Sequence, residues 1–360
     1  MIYALLLTLL ATHHLRRWLS APLSRVSPAR PHPFATDAPM VSVLVPAWNA
    51  VAELPEFVES FLKLNYPHKE LVLCVGGKDS SLSVATRLTQ PTIKVLEQLP
   101  GEGKQGALAK SFAVSSGSVV YLTDIDCRLD TASLEALLEP IVRGEESAVT
   151  GTSKPRPEQL SSGAVLVHWA VERKVTGSVA RPIDGMLGRN CALTRQAAEA
   201  IGGFRYAAPT GTDFRMAQKL QAQGYRIWLE PASAVETAFA WPVGVYSRKQ
   251  ARWLRNVVLY AERPRQLREL LGAVIVLATP FVLLLLLVAA WALHSLVPAF
   301  IVLLLLLHAV LNRLHHVRET LRRPLGPRLV LGSVLNLLAT LAAGVYATLT
   351  LLTPALRRQW

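Results

Sequence analysis

The sequence predicts an α/β fold, in which a mainly parallel sheet carries helices on both faces, joined to a set of transmembrane helices. Short β-branched segments alternate with helical ones from Met40 to about residue 240, as expected of repeated β-α units. The remaining apolar residues are concentrated at the two ends of the chain. Over 360 residues, 51% are apolar and only 18% are charged. This composition excludes an ordinary soluble protein and indicates membrane spans.

The alternating region, residues 40–240, is predicted as one folded domain. β-branched runs, helical periodicity and breakers such as Pro46 predict its strands and helices. The predicted strands are 41–45, 71–75, 93–96, 119–122, 148–151 and 226–229, and the predicted helices are 54–64, 106–115, 131–141 and 213–223.

The N-terminal residues 1–18 are predicted to form a membrane anchor. The apolar run from Met1 to Thr12 is followed by His13, His14, Arg16 and Arg17, which places a basic flank at its cytosolic end. The run is shorter than the roughly 20 residues of a full span, so an interfacial helix stays open. Residues 19–39 contain five prolines among polar residues and are predicted to be an extended linker.

The C-terminal part is predicted to be membrane-bound. Basic and aromatic residues mix at helical spacing over 241–270, which is typical of an amphipathic helix on an anionic membrane surface. Residues 271–356 are predicted to contain three spans, at about 271–292, 296–312 and 329–354, with a break near His294 and Pro298. Because the stretch from Arg313 to Arg328 is rich in arginine, we expect it to be a cytosolic loop.

This charge pattern predicts an integral protein of the cell's inner or plasma membrane, with the 40–240 domain in the cytosol. The net charge of +13 is explained by arginines beside apolar runs, so no nucleic-acid partner is expected. Cys74, Cys127 and Cys191 are too few and too widely spaced to indicate a disulfide framework or a zinc site.

Asp124 and Asp126 are the clearest candidates for chemistry. They follow an apolar strand, at the carboxyl edge where open α/β sheets bind ligands. Residues i and i+2 of a strand share a face, so both carboxylates are expected to reach one bound group. Mg²⁺ and Mn²⁺ prefer carboxylate and phosphate oxygens, which predicts a metal–diphosphate site. A strand-end loop with two solvated acids is the alternative.

Four segments in order resemble the membrane-anchored inverting glycosyltransferases of family 2. Val41–Asn49 resembles the opening strand and turn of that family. Gly103–Leu108 resembles its G-K-x-x-A-L element, and Tyr121–Asp126 contains its metal-binding D-x-D. Gly202–Phe204 and Gly211–Asp213 resemble the G-G-F segment and the segment with the catalytic base, and Lys249–Trp253 resembles a Q-x-x-R-W signature. The resemblance implies a GT-A, Rossmann-like nucleotide-sugar-binding domain.

The same resemblance implies roles for individual residues. Asp126 would hold the divalent metal, with Asp124 nearer the nucleotide and Lys104 adding positive charge. Asp213 would be the catalytic base, although it also fits the start of a helix. Arg252 would bind the diphosphate, and Trp253 would form an aromatic wall for the sugar or the acceptor. Both residues equally fit an interfacial helix.

The sequence departs from the family pattern at three places. Val75, Gly76 or Gly77 occupies the position where an aspartate is expected at the end of the second strand, and Asp79 is the candidate substitute. Thr212 replaces the glutamate before the base. Lys249 replaces the signature glutamine, and an ammonium group cannot accept a hydrogen bond.

The resulting prediction is an inverting transferase that moves one sugar from a nucleotide sugar, with UDP expected, to a lipid or lipid-linked hydroxyl. The arrangement resembles ceramide glucosyltransferases and hopanoid-type lipid glycosyltransferases. A processive polysaccharide synthase and a non-catalytic membrane scaffold are the alternatives. His308, His315 and His316 are interpreted as interfacial residues rather than metal ligands.

Overall fold

A computed structural model describes residues 2–20, 38–177, 179–208, 211–241, 243–260, 267–321 and 324–353. The chain divides into two units. The sheet unit comprises Val26–Lys154 and Ser178–Ala238, and the helical unit comprises Met1–Arg25, Pro155–Gly177 and Phe239–Trp360.

Twelve helices and nine strands make up the described part of the chain. In order they are α1 (Ile2–Ser20), β1 (Val41–Trp48), α2 (Leu54–Leu62), β2 (Lys69–Gly76), α3 (Ser81–Arg87), β3 (Ile93–Glu97), α4 (Gly103–Val114), β4 (Val119–Thr123), β5 (Cys127–Arg128), α5 (Thr131–Val142), β6 (Ala148–Pro155), α6 (Gly163–Thr176), β7 (Arg181–Ile183), β8 (Asn190–Thr194), α7 (Arg195–Ala200), α8 (Thr212–Ala222), β9 (Ile227–Thr237), α9 (Val243–Tyr260), α10 (Leu267–Ala292), α11 (Leu296–Leu321) and α12 (Pro327–Leu352).

The sheet has the order β3-β2-β1-β4-β8-β6-β9-β5, with β7 paired to β9. Its first half is parallel, since β1 pairs in parallel with β2 and β4, and β2 with β3. From β8 onward the described pairings are antiparallel. The predicted α/β class is confirmed, and the parallel order holds for the four strands that the sequence placed before residue 123.

Helices cover both faces of this sheet, which explains why β1 and β2 read as continuous apolar runs. Alternate residues of β1 enter different cores. Val43 packs on one face with Phe57 of α2 and Leu137 of α5. Leu44 packs on the other face with Leu108 of α4 and Leu220 of α8.

Within the described residues, the helical unit contains three helices that are long and apolar enough to cross a membrane, namely α10 from Glu269, α11 and α12. In α12, 44% of the apolar window is buried, against 11% and 6% in the other two, so α12 is the central helix. Glycines allow its close contacts. A Cβ on Gly332 would lie 2.4 Å from the carbonyl carbon of Gly163 in α6, and one on Gly344 would lie 2.7 Å from the carbonyl oxygen of Val276 in α10.

Helix α1 lies alongside α11 in the same direction. Tyr3 meets Phe300 with ring centroids 4.7 Å apart, and fifteen residues later Trp18 meets His315 at 5.2 Å. The guanidinium of Arg318 also lies over the Trp18 ring at 4.0 Å. The predicted N-terminal anchor is therefore a helix packed on the second long apolar helix.

Three predictions at the chain ends are changed or left open. Residues 313–321, predicted as a loop, continue α11, because Leu314 and Val317 are buried against Leu166 and Leu329. The predicted amphipathic helix is α9, whose buried face packs on α10 and α12 through Leu254. The proline-rich linker lies outside the described residues from 21 to 37.

Candidate active site at the carboxyl ends of the strands

Lys104 and Asp124 form the charged centre of the candidate site. Lys104 is the second residue of α4, and its Nζ donates to Oδ1 of Asp124 at 2.5 Å. The Lys104 side chain is 29% exposed and that of Asp124 is 36% exposed. Burial alone would lower the pKa of Lys104, but the carboxylates of Asp124 and Asp213 outweigh it and raise the pKa. Lys104 is therefore held as a cation.

The two aspartates of the D-x-D motif lie in a turn, not on a strand. Strand β4 ends at Thr123, and the N–H of Cys127 donates to the carbonyl of Asp124 at 3.1 Å before β5 begins. The prediction that the carboxylates share a strand face is wrong, because the chain turns as soon as the sheet pairing of β4 ends. The prediction that they follow the carboxyl end of this strand is confirmed.

The donor set at this turn fits a hard divalent cation. Asp124 and Asp126 are both partly exposed, and their carboxylate oxygens are ligands of the kind that Mg²⁺ and Mn²⁺ prefer. Oδ1 of Asp126 also lies 3.9 Å from Sγ of Cys127. Burial raises the pKa of that thiol to about 12, so Cys127 remains protonated and is no thiolate ligand.

Asp213 lies in the first turn of α8. The cap of this helix is Gly211, whose φ of 66° is left-handed, and the cap position provides no side-chain hydrogen bond. Oδ1 of Asp213 accepts from the N–H of Phe214 at 3.0 Å. The alternative in which Asp213 itself caps the helix is therefore not realised.

Lys104 and Asp213 line one small pocket within the sheet unit, whose cavity volume of about 10 Å³ has room for about one water molecule. The other lining residues come from α4, β4, the loops after β7 and α7, and α8: Gln105, Leu108, Leu122, Gly188, Phe204, Tyr206, Thr212 and Met216. Two side chains of this lining, Gln105 and Tyr206, interact with each other: burial raises the pKa of Tyr206 to about 12, and a hydrogen bond with Gln105 offsets part of the rise. The pocket thus offers a cation and a carboxylate.

The G-G-F segment builds one wall of this pocket. Gly202, Gly203 and Phe204 all have positive φ, of 88°, 58° and 67°. The tight turn buries the Phe204 ring against Phe112, with centroids 5.5 Å apart, and presents the Phe204 carbonyl to Nε2 of Gln105 at 2.8 Å. Such a run of positive φ is costly for side chains other than glycine, so the two glycines are required by the shape of the wall.

Gly188 is a site residue that sequence reasoning missed. A Cβ at this position would lie 2.9 Å from Cβ of Asp213 and 3.5 Å from its Oδ2. The backbone at Gly188 therefore closes directly on the carboxylate. A single glycine outside any motif gives no sequence signal for this contact.

The departure at Gly76 is explained by Trp48. These two residues are directly paired at the ends of β2 and β1. A Cβ on Gly76 would lie 2.2 Å from the carbonyl oxygen of Gln98 and 2.8 Å from the Trp48 ring. The expected aspartate has no room here, and the 42%-exposed Trp48 ring occupies this part of the sheet edge.

Asp79 follows β2 on the exposed loop to α3. Its Oδ1 accepts from the N–H of Ser81 at 3.0 Å, and hydrogen bonding to Ser81 lowers its pKa. The carboxylate therefore supports the start of α3. Asn49 holds the preceding loop, because its Oδ1 accepts from the N–H of Lys78 at 2.7 Å.

Arg252 and Trp253 lie on the exposed side of α9 in the helical unit, together with Lys249. The pocket of Lys104 and Asp213 is formed by the sheet unit alone. The structure thus brings together Lys104, Asp124 and Asp213 within the sheet unit.

The fold and site define the class of protein as a GT-A glycosyltransferase. Over 97% of this chain and 99% of that one, the fold is similar to the mannosyltransferase PcManGT from Pyrobaculum calidifontis, with a TM-score of 0.63 and 21% identity. Residues 1–348 match the family described as Glycosyl transferase family 21. The chain therefore belongs to glycosyl transferase family 21, and the prediction of a glycosyltransferase is confirmed at the level of family.

Two relatives match only part of this chain and only part of their own length. The chain is 25% identical over 236 residues to the probable glycosyltransferase YdaM of Bacillus subtilis (strain 168), covering 61% of this chain and 56% of that protein. It is 27% identical over 139 residues to the glycosyltransferase AglD of Haloferax volcanii, covering 36% of this chain and 22% of that protein. The chain thus spans about half and about a fifth of these relatives.

Proposed function

We propose that this protein transfers one sugar from a nucleoside diphosphate sugar to a lipid or lipid-linked hydroxyl, with inversion at the anomeric carbon. The observation that carries the proposal is the pocket in which Lys104, paired with Asp124, and Asp213 lie together at the carboxyl ends of the strands. A cation for a leaving diphosphate and a carboxylate for an attacking hydroxyl are the two groups that this reaction needs.

Asp213 acts as the general base. Its carboxylate takes the proton of the acceptor hydroxyl while that oxygen forms a bond to the anomeric carbon and the bond from this carbon to the diphosphate oxygen breaks. The electron pair of the broken bond leaves with the diphosphate. The backbone of Gly188 packs against the Asp213 side chain and restricts its position, because a Cβ on Gly188 would lie only 2.9 Å from Cβ of Asp213.

Lys104 stabilises the departing charge. Its raised pKa keeps it protonated at neutral pH, and Asp124 holds the ammonium group in place. A fixed cation costs no reorganisation when negative charge develops on the diphosphate.

Asp126, together with Asp124, would hold a Mg²⁺ or Mn²⁺ ion, which when bound neutralises diphosphate oxygens. The donor set of the turn supports this assignment, and the solved mannosyltransferase of similar fold is described in complex with GDP-Man and Mn²⁺. Asp79 stays a candidate for contact with the nucleotide, as does the exposed ring of Trp48.

The acceptor is proposed from the composition of the chain. Three helices long and apolar enough to span a membrane support an integral membrane protein with a membrane-embedded substrate. Arginines at positions 313, 318, 322, 323 and 328 support a cytosolic location for the loop between α11 and α12 and for the sheet unit. Arg252 and Trp253 are proposed to contact the diphosphate and the sugar or acceptor.

The proposal is tested with membranes that contain the full chain. They are incubated with labelled UDP-glucose, UDP-N-acetylglucosamine, UDP-galactose or GDP-mannose in the presence of Mg²⁺ or Mn²⁺, and the products are extracted into chloroform. We expect label in a chloroform-soluble lipid from one donor, and EDTA should prevent its formation.

Other outcomes identify the alternatives. Label retained in a water-soluble polymer contradicts the proposal and supports a processive synthase. Consumption of no donor supports a non-catalytic scaffold. Undiminished transfer in EDTA removes the metal role of Asp126 while leaving the transferase standing.

A further inference from the structure

A cluster of histidines lies between α1 and α11 within the helical unit. His13 and His14 are adjacent on α1, and His308 of α11 faces both, with ring centroids 5.8 Å and 5.0 Å away. One ring nitrogen of each residue lies within 4.8 Å of the other two. His14 is only 6% exposed, whereas His13 is exposed and opens the cluster to solvent or headgroups.

Hydrogen bonds around the cluster fix where the protons are. Nη1 of Arg17 donates to Oδ1 of Asn312 at 2.6 Å, so the Asn312 amide nitrogen faces Nε2 of His308 at 2.8 Å. An amide nitrogen only donates, and His308 therefore accepts at Nε2 and carries its proton on Nδ1.

The same reasoning continues to the next two histidines. Nδ1 of His308 donates to Nε2 of His14 at 3.0 Å. His14 then carries its own proton on Nδ1 and donates to Nε2 of His315 at 3.1 Å. The chain of donors ends at Nδ1 of His315, which is buried without a hydrogen-bond partner among the described residues.

We propose that His13, His14 and His308 form a binding site for a divalent transition metal ion such as Zn²⁺, which fastens α1 to α11. Imidazole nitrogen is a preferred ligand of Zn²⁺, Co²⁺ and Ni²⁺. In a tetrahedral site with Zn–N bonds near 2.05 Å, ligand nitrogens lie about 3.4 Å apart. The nitrogens of His14 and His308 are already 3.0 Å apart, and small rotations of His13 complete three ligands. A water molecule would take the fourth position.

The surrounding residues supply the support that metal-bound histidines require. The bond from Nδ1 of His14 to His315 leaves Nε2 for the metal and orients the ring. Coordination by Nδ1 of His308 moves its proton to Nε2, which now needs an acceptor. The Asn312 amide must therefore turn so that its oxygen accepts from His308. Arg17 then loses its hydrogen bond to Asn312 but retains its ion pair with Glu319, whose Oε1 lies 3.4 Å from Nε of Arg17.

This requirement gives a variant that strengthens the site. A carboxylate at position 312 accepts from His308 and Arg17 at once, so Asn312→Asp removes the need for the amide to turn. Leucine at the same position accepts from neither. Outer hydrogen-bond partners typically change metal affinity by roughly 10–100-fold, so the two variants should move affinity in opposite directions.

The test uses the full chain purified in detergent without a polyhistidine tag, stripped with EDTA and dialysed. Co²⁺ is titrated in the presence of excess Mg²⁺, which occupies carboxylate sites but not imidazole sites. His14→Ala and His308→Ala are compared with His294→Asn, a control in the turn between α10 and α11, where asparagine tolerates the positive φ of 48°.

We expect one Co²⁺ per chain, with the visible absorption of a tetrahedral nitrogen site, in the wild type and the His294 control. His14→Ala and His308→Ala should lose this absorption. The affinity should rise at least about tenfold in Asn312→Asp and fall in Asn312→Leu. Zn²⁺ should also raise the melting temperature of the wild type and of Asn312→Asp, since a ligand that binds only the folded state stabilises it.

Equal Co²⁺ binding by the wild type and both histidine variants contradicts the proposal, and so does the absence of binding at micromolar metal. If a histidine variant does not fold, the Asn312 pair decides. Equal affinities in the aspartate and leucine variants overturn the assignment. None of these outcomes depends on whether the sheet unit transfers a sugar.

Discussion

The sheet unit and the helical unit place polar residues by different means. In the sheet unit, Lys104 and Asp213 lie at the starts of two helices and line one pocket, and Asp124, in the turn after β4, pairs with Lys104 at its edge. In the helical unit, His14 and His308 are 294 residues apart, and only the packing of two helices joins them. Strand topology thus builds the first site, whereas side-chain packing between apolar helices builds the second.

The difference teaches where each unit is vulnerable. The sheet unit depends on close backbone contacts at glycines and on buried carboxylates, both of which single substitutions disturb. The helical unit depends on apolar length and on small residues where helices meet. The predictions below follow from the sheet unit, in order from the largest expected effect to the smallest.

Replacement of Asp213 by asparagine should reduce the rate of sugar transfer about 10³-fold, because the amide keeps the size of the side chain but cannot take a proton. Donor binding should stay within twofold of the wild type. Transfer of labelled donor and equilibrium donor binding are measured side by side, with Glu199→Gln, at an exposed position of α7, as the control. Normal turnover by Asp213→Asn would remove this residue from the mechanism.

Glu70→Gln should weaken the sheet unit by roughly 3 kcal/mol at neutral pH. Burial tends to raise the pKa of Glu70, but Lys94, Ser42 and Ser116 outweigh it and lower the pKa to about 2 from an ordinary value of 4.5. The Lys94 ammonium is 2.7 Å away, and Ser42 Oγ donates at 2.6 Å. This stabilisation is complete above about pH 5 and is lost as pH falls towards 2.

The check is tryptophan fluorescence during acid unfolding of the wild type, Glu70→Gln and the exposed control Glu59→Gln. The Glu70 variant should show the flattest dependence of stability on pH between 5 and 2. A dependence equal to that of the wild type would mean that Glu70 contributes nothing through its charge.

Gly76→Ala should destabilise the protein by about 1–3 kcal/mol, the usual cost of overpacking. The added Cβ meets the carbonyl oxygen of Gln98 at 2.2 Å, and this backbone atom has little freedom to move. Melting temperatures are compared with Gly185→Ala, where an added Cβ has no neighbour within 4 Å. Equal melting temperatures would show that the edge formed by Trp48 and Gly76 is looser than described.

Gly188→Ala should slow transfer about tenfold, since displacing a catalytic group by a fraction of an ångström has large effects on rate. The methyl group lies 2.9 Å from Cβ of Asp213 and pushes the carboxylate away from the acceptor. The value of kcat should fall while the KM for donor changes little, and Gly185→Ala should behave as the wild type. A lower melting temperature with unchanged kcat would place Gly188 in folding alone.

The sequence predicted the parts of the fold that depend on local pattern. β1, β2 and β4 were found because residues buried on both faces of a sheet form apolar runs, and the edge strand β3 was found from Ile93, Val95 and Leu96. The three long apolar helices were predicted because length and hydropathy are enough to recognise such helices. Helix α6 and strand β8 were missed, because Val167 and Cys191 lie in segments whose burial depends on distant partners.

The candidate site was predicted as far as motifs reach. Lys104, Asp124 and Asp213 could be picked out because each lies in a short segment with a recognisable pattern. The turn at Asp124 was missed, since a strand-end signal does not show where pairing stops. Gly188 had no signal, because its importance comes from the Asp213 side chain that the fold places beside it.

The anomeric configuration of the lipid product tests the central claim most directly. All four tested nucleotide sugars carry the sugar in the α configuration. The donor that the protein consumes is converted on a scale sufficient for NMR. The one-bond carbon–proton coupling at the anomeric carbon is then measured in the chloroform-extracted product. The account predicts a β-linked sugar, because the hydroxyl deprotonated by Asp213 attacks opposite the leaving diphosphate. An α-linked product would contradict it.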